Sequence, residues 1–175
     1  EAMRQKRAEI EAIIAQAAAP DFNNTVLALE KSGAMLSRVS SVFFAMTSAH
    51  TNDDLQALEE QISTELAALA NDIWLNDTLF SRVESVCQDC AALDAESRRL
   101  AEETYQHFVL AGARLNDAEK AELKALNTEA ATLTSQFNQR LLAATKAGGL
   151  VVDYAHQLDG LNPDEIATAA HAAAE

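Results

Sequence analysis

The sequence predicts an all-α fold, an antiparallel bundle of about six or seven helices. Strong helix formers dominate the 175 residues, which include only five glycines and two prolines. Apolar residues recur at steps of three and four along most of the chain, as on one face of a helix. With 49% hydrophobic residues, the chain is long enough to bury one core. We therefore expect a single helical domain over residues 1–175.

The first half of the chain contains three predicted helices. The first covers about residues 2–17 and ends before Pro20. The second runs from Thr25 to about Ala49, and Gly33 on its apolar stripe predicts a close approach by a neighbouring helix. The stripe consists of Val26, Leu29, Gly33, Leu36, Val39, Phe43 and Met46. The third helix starts after Thr51–Asp54, and its stripe consists of Leu55, Leu58, Ile62, Leu66 and Leu69.

The second half contains the longest predicted helix. A fourth helix begins near Asp77, and a fifth begins after Asp94 or Ser97 and runs to about Arg114. Asn116 and Glu119 form a capping pair for the longest helix. Its apolar seam, predicted to face the core, is Leu123, Leu126, Ala130, Leu133, Phe137 and Leu141. Gly148–Gly149 ends it.

The last residues hold the one segment with β character. Leu150–Val152 predicts at most one very short strand near 150–152, whose partner would lie elsewhere. Asn162–Pro163 starts a last helix over residues 163–175. The chain does not begin with methionine, and both of its ends lie inside helical patterns. We therefore expect a fragment of a longer protein, truncated at both ends.

Charge and hydropathy exclude several classes of partner. The net charge is −14 and the isoelectric point is near 4.6, which argues against nucleic acid because its binding needs clustered Lys and Arg. No apolar run approaches the roughly 20 residues needed to span a bilayer, so no membrane contact is expected. Residues 1–12 lack the apolar region of a secretory signal.

Cys87 and Cys90 form the one motif with reactive character. Two thiols at this spacing suit a redox pair or half of a zinc site. No second cysteine pair or paired histidines accompany them, and Cys90 lies on the apolar stripe with Val86 and Leu93. We interpret both cysteines as structural.

The histidines do not form a zinc-peptidase motif. Such a site needs His-Glu-x-x-His on one helix face, with the Glu as general base. The four histidines are His50, His107, His156 and His171; none has another within five residues, and none is followed by Glu. We expect no catalytic residue, no metal site and no cofactor in this chain.

Phe44 is the best candidate for a contact outside the core. It points about 100° away from Phe43 on the same helix. The favoured interpretation is a helix packed on two sides. The alternative is that Phe44, Thr47 and His50 face another domain or a substrate channel, which makes these three the weak substrate-binding candidates.

Several segments carry a family resemblance. Residues 126–142 (LNTEAATLTSQFNQRLL), 19–30 (APDFNNTVLALE) and 42–47 (VFFAMT) are its most distinctive parts. Together they resemble the amino-terminal helical region of the thimet-oligopeptidase-like zinc metallopeptidases, nearest to the bacterial members that release carboxyl-terminal dipeptides. The region around Cys87–Cys90 departs from the family pattern.

The resemblance implies a function for a longer parent protein. The parent would be a cytoplasmic zinc oligopeptidase, and this region would form one wall or lid of its peptide channel. Zinc and the catalytic groups would lie in the carboxyl-terminal part of the same polypeptide, so the chain alone is expected to be inactive. Its partners would be that part and, through the parent, short peptides.

Other interpretations and properties stay open. The chain could instead be a stand-alone helical adaptor module, or a small helical enzyme or metal carrier. An apolar patch along one whole side favours a domain taken from a longer protein, and a saturated surface favours a module. Exopeptidase or endopeptidase action, substrate preference, oligomeric state and the channel-facing residues are not determined by the sequence.

Overall fold

The structure is a computed structural model that describes residues 1–173, and it is all-α as predicted. Seven of its α-helices have ten residues or more. In chain order the α-helices are α1 (Ala2–Ile14), α2 (Ala28–Lys31), α3 (Ala34–Ala49), α4 (Asp53–Trp74), α5 (Asp77–Gln88), α6 (Ala95–Leu110), α7 (Asp117–Ala147) and α8 (Pro163–Ala172). A π-helical segment, Phe22–Leu27, leads into α2, and 3₁₀ turns cover Cys90–Ala92 and Ala155–Leu158. Within residues 1–173 there is no strand, only an isolated bridge between Asp159 and Leu161.

The described residues form two compact units. The larger is Glu1–Asn138, and the smaller begins at Gln139. The larger unit has a core of ten buried side chains: Ile10, Ile13, Leu29, Leu69, Ile73, Leu79, Phe80, Val83, Phe108 and Ala113. Trp74, the one tryptophan, lies against this core with its ring 4.8 Å from Phe108 and 4.0 Å from His107. In the smaller unit, α8 buries no residue.

Side-chain caps set most of the helix starts. Asn52, Asn76 and Asp94 each accept a backbone N–H from the first turn of α4, α5 and α6. The predicted pair Asn116 and Glu119 exchanges two hydrogen bonds of 3.0 Å at the start of α7. These bonds pair donors that the first turn of a helix leaves free.

The predicted helix from Thr25 to Ala49 is wrong as one piece. Gly33 has a φ of +79°, a left-handed conformation that separates α2 from α3. The break is held by α1: the Gly33 N–H donates to Glu9 Oε2 at 2.6 Å, and Lys6 Nζ donates to the Ser32 carbonyl at 3.1 Å. The predicted close approach at Gly33 is therefore made by the Lys6 side chain, and Gly33 is not inside a helix.

Two predicted apolar stripes do not face the core. On α3, Val39 and Met46 are exposed rather than buried. On α7, Leu126, Leu133, Phe137 and Leu141 are all more than half exposed. Periodicity located the apolar face of each helix correctly, but this chain does not bury those faces.

Two helices end earlier than predicted. α1 ends at Ile14, and beyond it the carbonyls of Gln16 and Ala18 accept hydrogen bonds from the buried Arg82 guanidinium, at 3.1 Å and 3.4 Å. α6 ends at Leu110 because Gly112 is left-handed, with a φ of +100°. The Ala113 N–H then donates to the Phe108 carbonyl at 3.0 Å, which closes the helix.

The carboxyl-terminal segment follows its prediction in part. Residues 150–152 form neither a helix nor a strand in the described chain, so the predicted short strand is not formed there. Asn162 caps α8 and Pro163 is its first residue, as expected. The predicted end of this helix, at residues 174 and 175, lies outside the described residues.

Candidate functional site

A groove of about 660 Å³ lies between α3, α4 and α7 in the larger unit. Phe44 and Ser48 line it from α3, and Glu59 lies on its α4 side. Its remaining walls carry small residues, among them Ala67 and Ala70 on α4 and Ala130 and Ala131 on α7. Because these side chains are short, the helices leave an open channel between them instead of a filled seam.

Polar contacts hold the two long walls together. Asn127 Nδ2 donates to Asn71 Oδ1 at 2.7 Å, and Asn71 is buried. Gln136 Nε2 donates to Glu60 Oε1 at 3.1 Å. Since a buried amide is costly to leave unpaired, the Asn71–Asn127 pair fixes how α7 lies along α4.

The groove also has polar groups without a partner in the described chain. Ser135 is 5% exposed, and its Oγ has no hydrogen-bond partner among the described residues. Glu59 is half-buried and is the charged residue among the groove's lining side chains. Apart from Glu59 the groove lining is neutral, and its polar groups are hydroxyls and amides.

The structure separates the three residues predicted to face a channel. Phe44 lines the groove, and its ring meets Phe43 edge-on at 5.2 Å. Thr47 is buried, and its hydroxyl donates to the Phe44 carbonyl at 3.2 Å. His50 is exposed at the end of α3. Neither Thr47 nor His50 is part of the groove lining.

Sequence reasoning missed the α7 side of this groove. Asn127, Ala131 and Ser135 recur at steps of four, on a different face from the apolar seam of α7. This stripe of small and polar residues marks a second face of α7, but its spacing alone does not say which helix approaches that face. The apolar seam of the same helix was instead used to predict its core-facing side.

Two apolar faces lie uncovered on the larger unit. We call the first the α3 face; it consists of Met35, Val39, Val42 and Met46, of which Val42 is 62% exposed. We call the second the α7 face; it consists of Leu126, Leu133 and Phe137, of which Phe137 is 64% exposed. Contiguous exposed apolar faces mark contact sites for another protein surface, a membrane or a ligand.

The residues described here do not supply a metal site. No group of three or more His, Cys, Asp and Glu side chains lies close enough to hold an ion within residues 1–173. Cys87 and Cys90 are free thiols. Burial, followed by the neighbouring Cys90, raises the pKa of Cys87, which disfavours the thiolate that metal binding requires.

None of the helices in the described part of the chain is both long enough and apolar enough to cross a bilayer. No protein-family model matches the sequence.

Comparison with known proteins finds similarity to peptidases along the whole chain. A probable cytosolic oligopeptidase A of Arabidopsis thaliana is 24% identical over 173 residues, covering 98% of this chain and 24% of that protein. More similar are two proteins named dipeptidyl carboxypeptidase, from Salmonella typhimurium strain LT2 and Escherichia coli strain K12. Each is 65% identical over 177 residues, covering 100% of this chain and 26% of the relative.

These comparisons define what the chain resembles. The chain is similar to the amino-terminal part of peptidases of this kind, as its sequence motifs predicted. In particular it matches the amino-terminal part of dipeptidyl carboxypeptidase. It spans about a quarter of the length of these relatives.

Proposed function

We propose that this chain is the non-catalytic amino-terminal domain of a zinc-dependent dipeptidyl carboxypeptidase or oligopeptidase, and that it forms one wall or lid of the peptide channel. The observation that supports the proposal is the pair of uncovered apolar faces, which lie on a chain 65% identical to about a quarter of a protein named dipeptidyl carboxypeptidase. A stand-alone adaptor has no need of two such faces on separate helices.

The groove supplies the substrate side of the proposal. Its size and polar lining suit an unfolded peptide, and Phe44 offers an aromatic contact within it. A wall of packed helices excludes folded proteins, so only extended chains would reach the catalytic centre. In this role the domain contributes shape and closure and leaves bond cleavage to other residues.

Zinc belongs to the remainder of the polypeptide in this proposal. The described residues contain no group able to hold the ion, so the metal and its general base would come from the carboxyl-terminal part. That part is the proposed partner of the two apolar faces. The peptidase would act on short peptides in the cytoplasm.

Hydrolysis of a blocked short peptide tests the proposal. We expect no turnover by this chain alone, with or without zinc, and turnover when it is mixed with the separately expressed carboxyl-terminal part. A control mixture contains the carboxyl-terminal part without this chain. Zinc-dependent turnover by the chain alone would overturn the non-catalytic assignment. Equal turnover with and without the chain would overturn its role in the channel.

A further inference from the structure

Leu150, Val151 and Val152 form an apolar run without regular secondary structure between the end of α7 and the 3₁₀ turn Ala155–Leu158. Leu150 is 88% exposed and Val151 is 84% exposed, the two highest values among the large hydrophobic side chains of the described chain. Water contact at two neighbouring apolar side chains is unfavourable by about 25 cal/mol per Å² of their apolar surface. These residues therefore gain stability from any partner that covers them.

The backbone of this run also lacks partners, because hydrogen bonding stops before it and resumes after it. Hydrogen bonding on the α7 side stops at the Gly148 N–H, which donates to the Ala144 carbonyl at 2.8 Å. It resumes at the Tyr154 N–H, which donates to Gln157 Oε1 at 3.1 Å. In the described structure the N–H and C=O groups of residues 150–153 make no hydrogen bond. Unpaired backbone groups of this kind are available to pair with a neighbouring strand.

We propose that residues 150–153 pair as a short β-strand with a strand supplied by the carboxyl-terminal remainder of the longer polypeptide. The inference rests on the proposed function, because it needs that remainder. Val151 and Val152 are β-branched and favour a strand over a helix. Gly148–Gly149 ends α7 just before them, so the run is free to follow a direction of its own.

Pairing with a strand would give partners to both the exposed apolar side chains and the unpaired backbone groups of this run. Alternate residues of a strand point to opposite faces, so Leu150 and Val152 share one face while Val151 and Asp153 share the other. Backbone groups of alternate residues point to the same neighbouring strand. One added strand thus pairs half of the free backbone groups and places its own side chains beside Leu150 and Val152 on one face and beside Val151 on the other.

The same polypeptide is a better partner than a second copy of this chain. The chain carries a net charge of −14, so two copies repel each other. A tethered strand avoids that repulsion and acts at an effective concentration in the millimolar range. Pairing of two copies through this run would depend on protein concentration, whereas pairing with a strand of the same polypeptide would not.

Amide hydrogen exchange, followed by mass spectrometry of the peptide spanning residues 149–154, tests the pairing. The full-length polypeptide is compared with the chain of residues 1–175 at low and high protein concentration. We expect exchange at least about tenfold slower in the full-length protein, because opening a paired strand costs free energy. Equal exchange in both proteins would overturn the proposal. Slow exchange in the short chain at high concentration only would replace the tethered strand with a second copy.

Three substitutions in the full-length protein separate a strand from a helix or an apolar contact. Val151→Thr keeps the shape and strand preference of valine but adds a hydroxyl, and we expect slow exchange to persist. Val151→Ala favours a helix, and Val151→Pro excludes regular pairing; both are expected to raise the exchange rate. Persistent protection in Val151→Ala together with its loss in Val151→Thr would contradict strand pairing.

Peptide hydrolysis by the same full-length protein distinguishes the two proposals. Zinc-dependent release of dipeptides with fast exchange at residues 149–154 would refute the strand and leave the proposed function standing. No hydrolysis by the zinc-loaded full-length protein would refute the proposed function itself, whatever the exchange rate.

Discussion

Arg82 is a buried charged side chain that donates hydrogen bonds to four residues of the larger unit. It is 8% exposed, and its guanidinium joins α5 to the segment between α1 and α2. One nitrogen donates to the carbonyls of Gln16 and Ala18, and the other to Asn24 Oδ1 (3.1 Å) and Thr25 Oγ1 (3.4 Å). No sequence motif signals this role, because it depends on contacts across more than 50 residues.

Replacing Arg82 with methionine tests that role. We expect Arg82→Met to lower the free energy of unfolding by about 1–3 kcal/mol, because it removes the hydrogen bonds that the guanidinium donates, among them the one to the buried Thr25. Denaturant unfolding followed by circular dichroism measures the change. Arg98→Met is the matched control, since Arg98 binds backbone carbonyls from an exposed position. Equal losses in both variants would show that burial at Arg82 is unimportant.

Asp94 gives the larger unit a pH-dependent contribution to stability. Hydrogen bonds from the hydroxyl and backbone N–H of Ser97, with that of Glu96, lower the pKa of Asp94 in the folded chain. A carboxyl group whose pKa is depressed by folding stabilises the fold above its unfolded pKa. That contribution is lost as the pH falls through the folded pKa.

Asp94→Asn isolates this effect, because asparagine caps a helix as well as aspartate does but does not titrate. Thermal unfolding of both proteins is compared at neutral pH and at about pH 3, below the usual pKa of an aspartate. We expect the wild-type chain to lose more stability than Asp94→Asn on acidification. A difference between the two proteins that does not change with pH would contradict the assignment.

At the scale of the element, local chemistry was predictable and packing direction was not. Asn116 with Glu119, and Asn162 with Pro163, marked the starts of α7 and α8 because capping depends on residues a few positions apart. The apolar seams of α3 and α7 were also found. Whether a seam faces the core depends on distant residues such as Asn71, whose pairing with Asn127 turns the polar side of α7 inward.

The break at Gly33 is the element-scale feature most open to mutation. A Cβ there would lie 2.7 Å from Cδ of Lys6, in a backbone conformation that favours glycine. We expect Gly33→Ala to lower the free energy of unfolding by about 1–2 kcal/mol from the left-handed backbone alone. The same substitution in a Lys6→Ala background removes the steric contact. A loss that is equal in both backgrounds would show that Lys6 yields without cost.

At the scale of the whole molecule, the candidate site was less predictable than the fold. Phe44 was singled out from its direction on the helix, and it does line the groove. Glu59, Asn71 and Asn127 were not predicted as site residues, because the groove forms only when three helices come together. The polar side chains of an amphipathic helix give no sign by themselves of which ones a second helix will approach.

Substitutions in the exposed α7 face are expected to affect peptidase activity without affecting the stability of this chain. We expect the double variant Leu133→Ser and Phe137→Ser to change the free energy of unfolding of this chain by no more than about 0.5 kcal/mol, since both side chains already contact water. Peptidase activity of the full-length protein is expected to fall. Glu129→Ser, an exposed change on the same helix, is the control. Strong destabilisation of the isolated chain would show that the face is part of its own core.

The single tryptophan makes these measurements easier to interpret. Trp74 lies against Phe108 and His107, so its fluorescence emission reports the environment of one place in the molecule. That place is in Glu1–Asn138, and the residues from Gln139 onward contain no tryptophan. Emission therefore follows the melting of the larger unit only, whereas circular dichroism follows every helix. A gap between the two melting curves would reveal the smaller unit as a separate transition, with no label introduced.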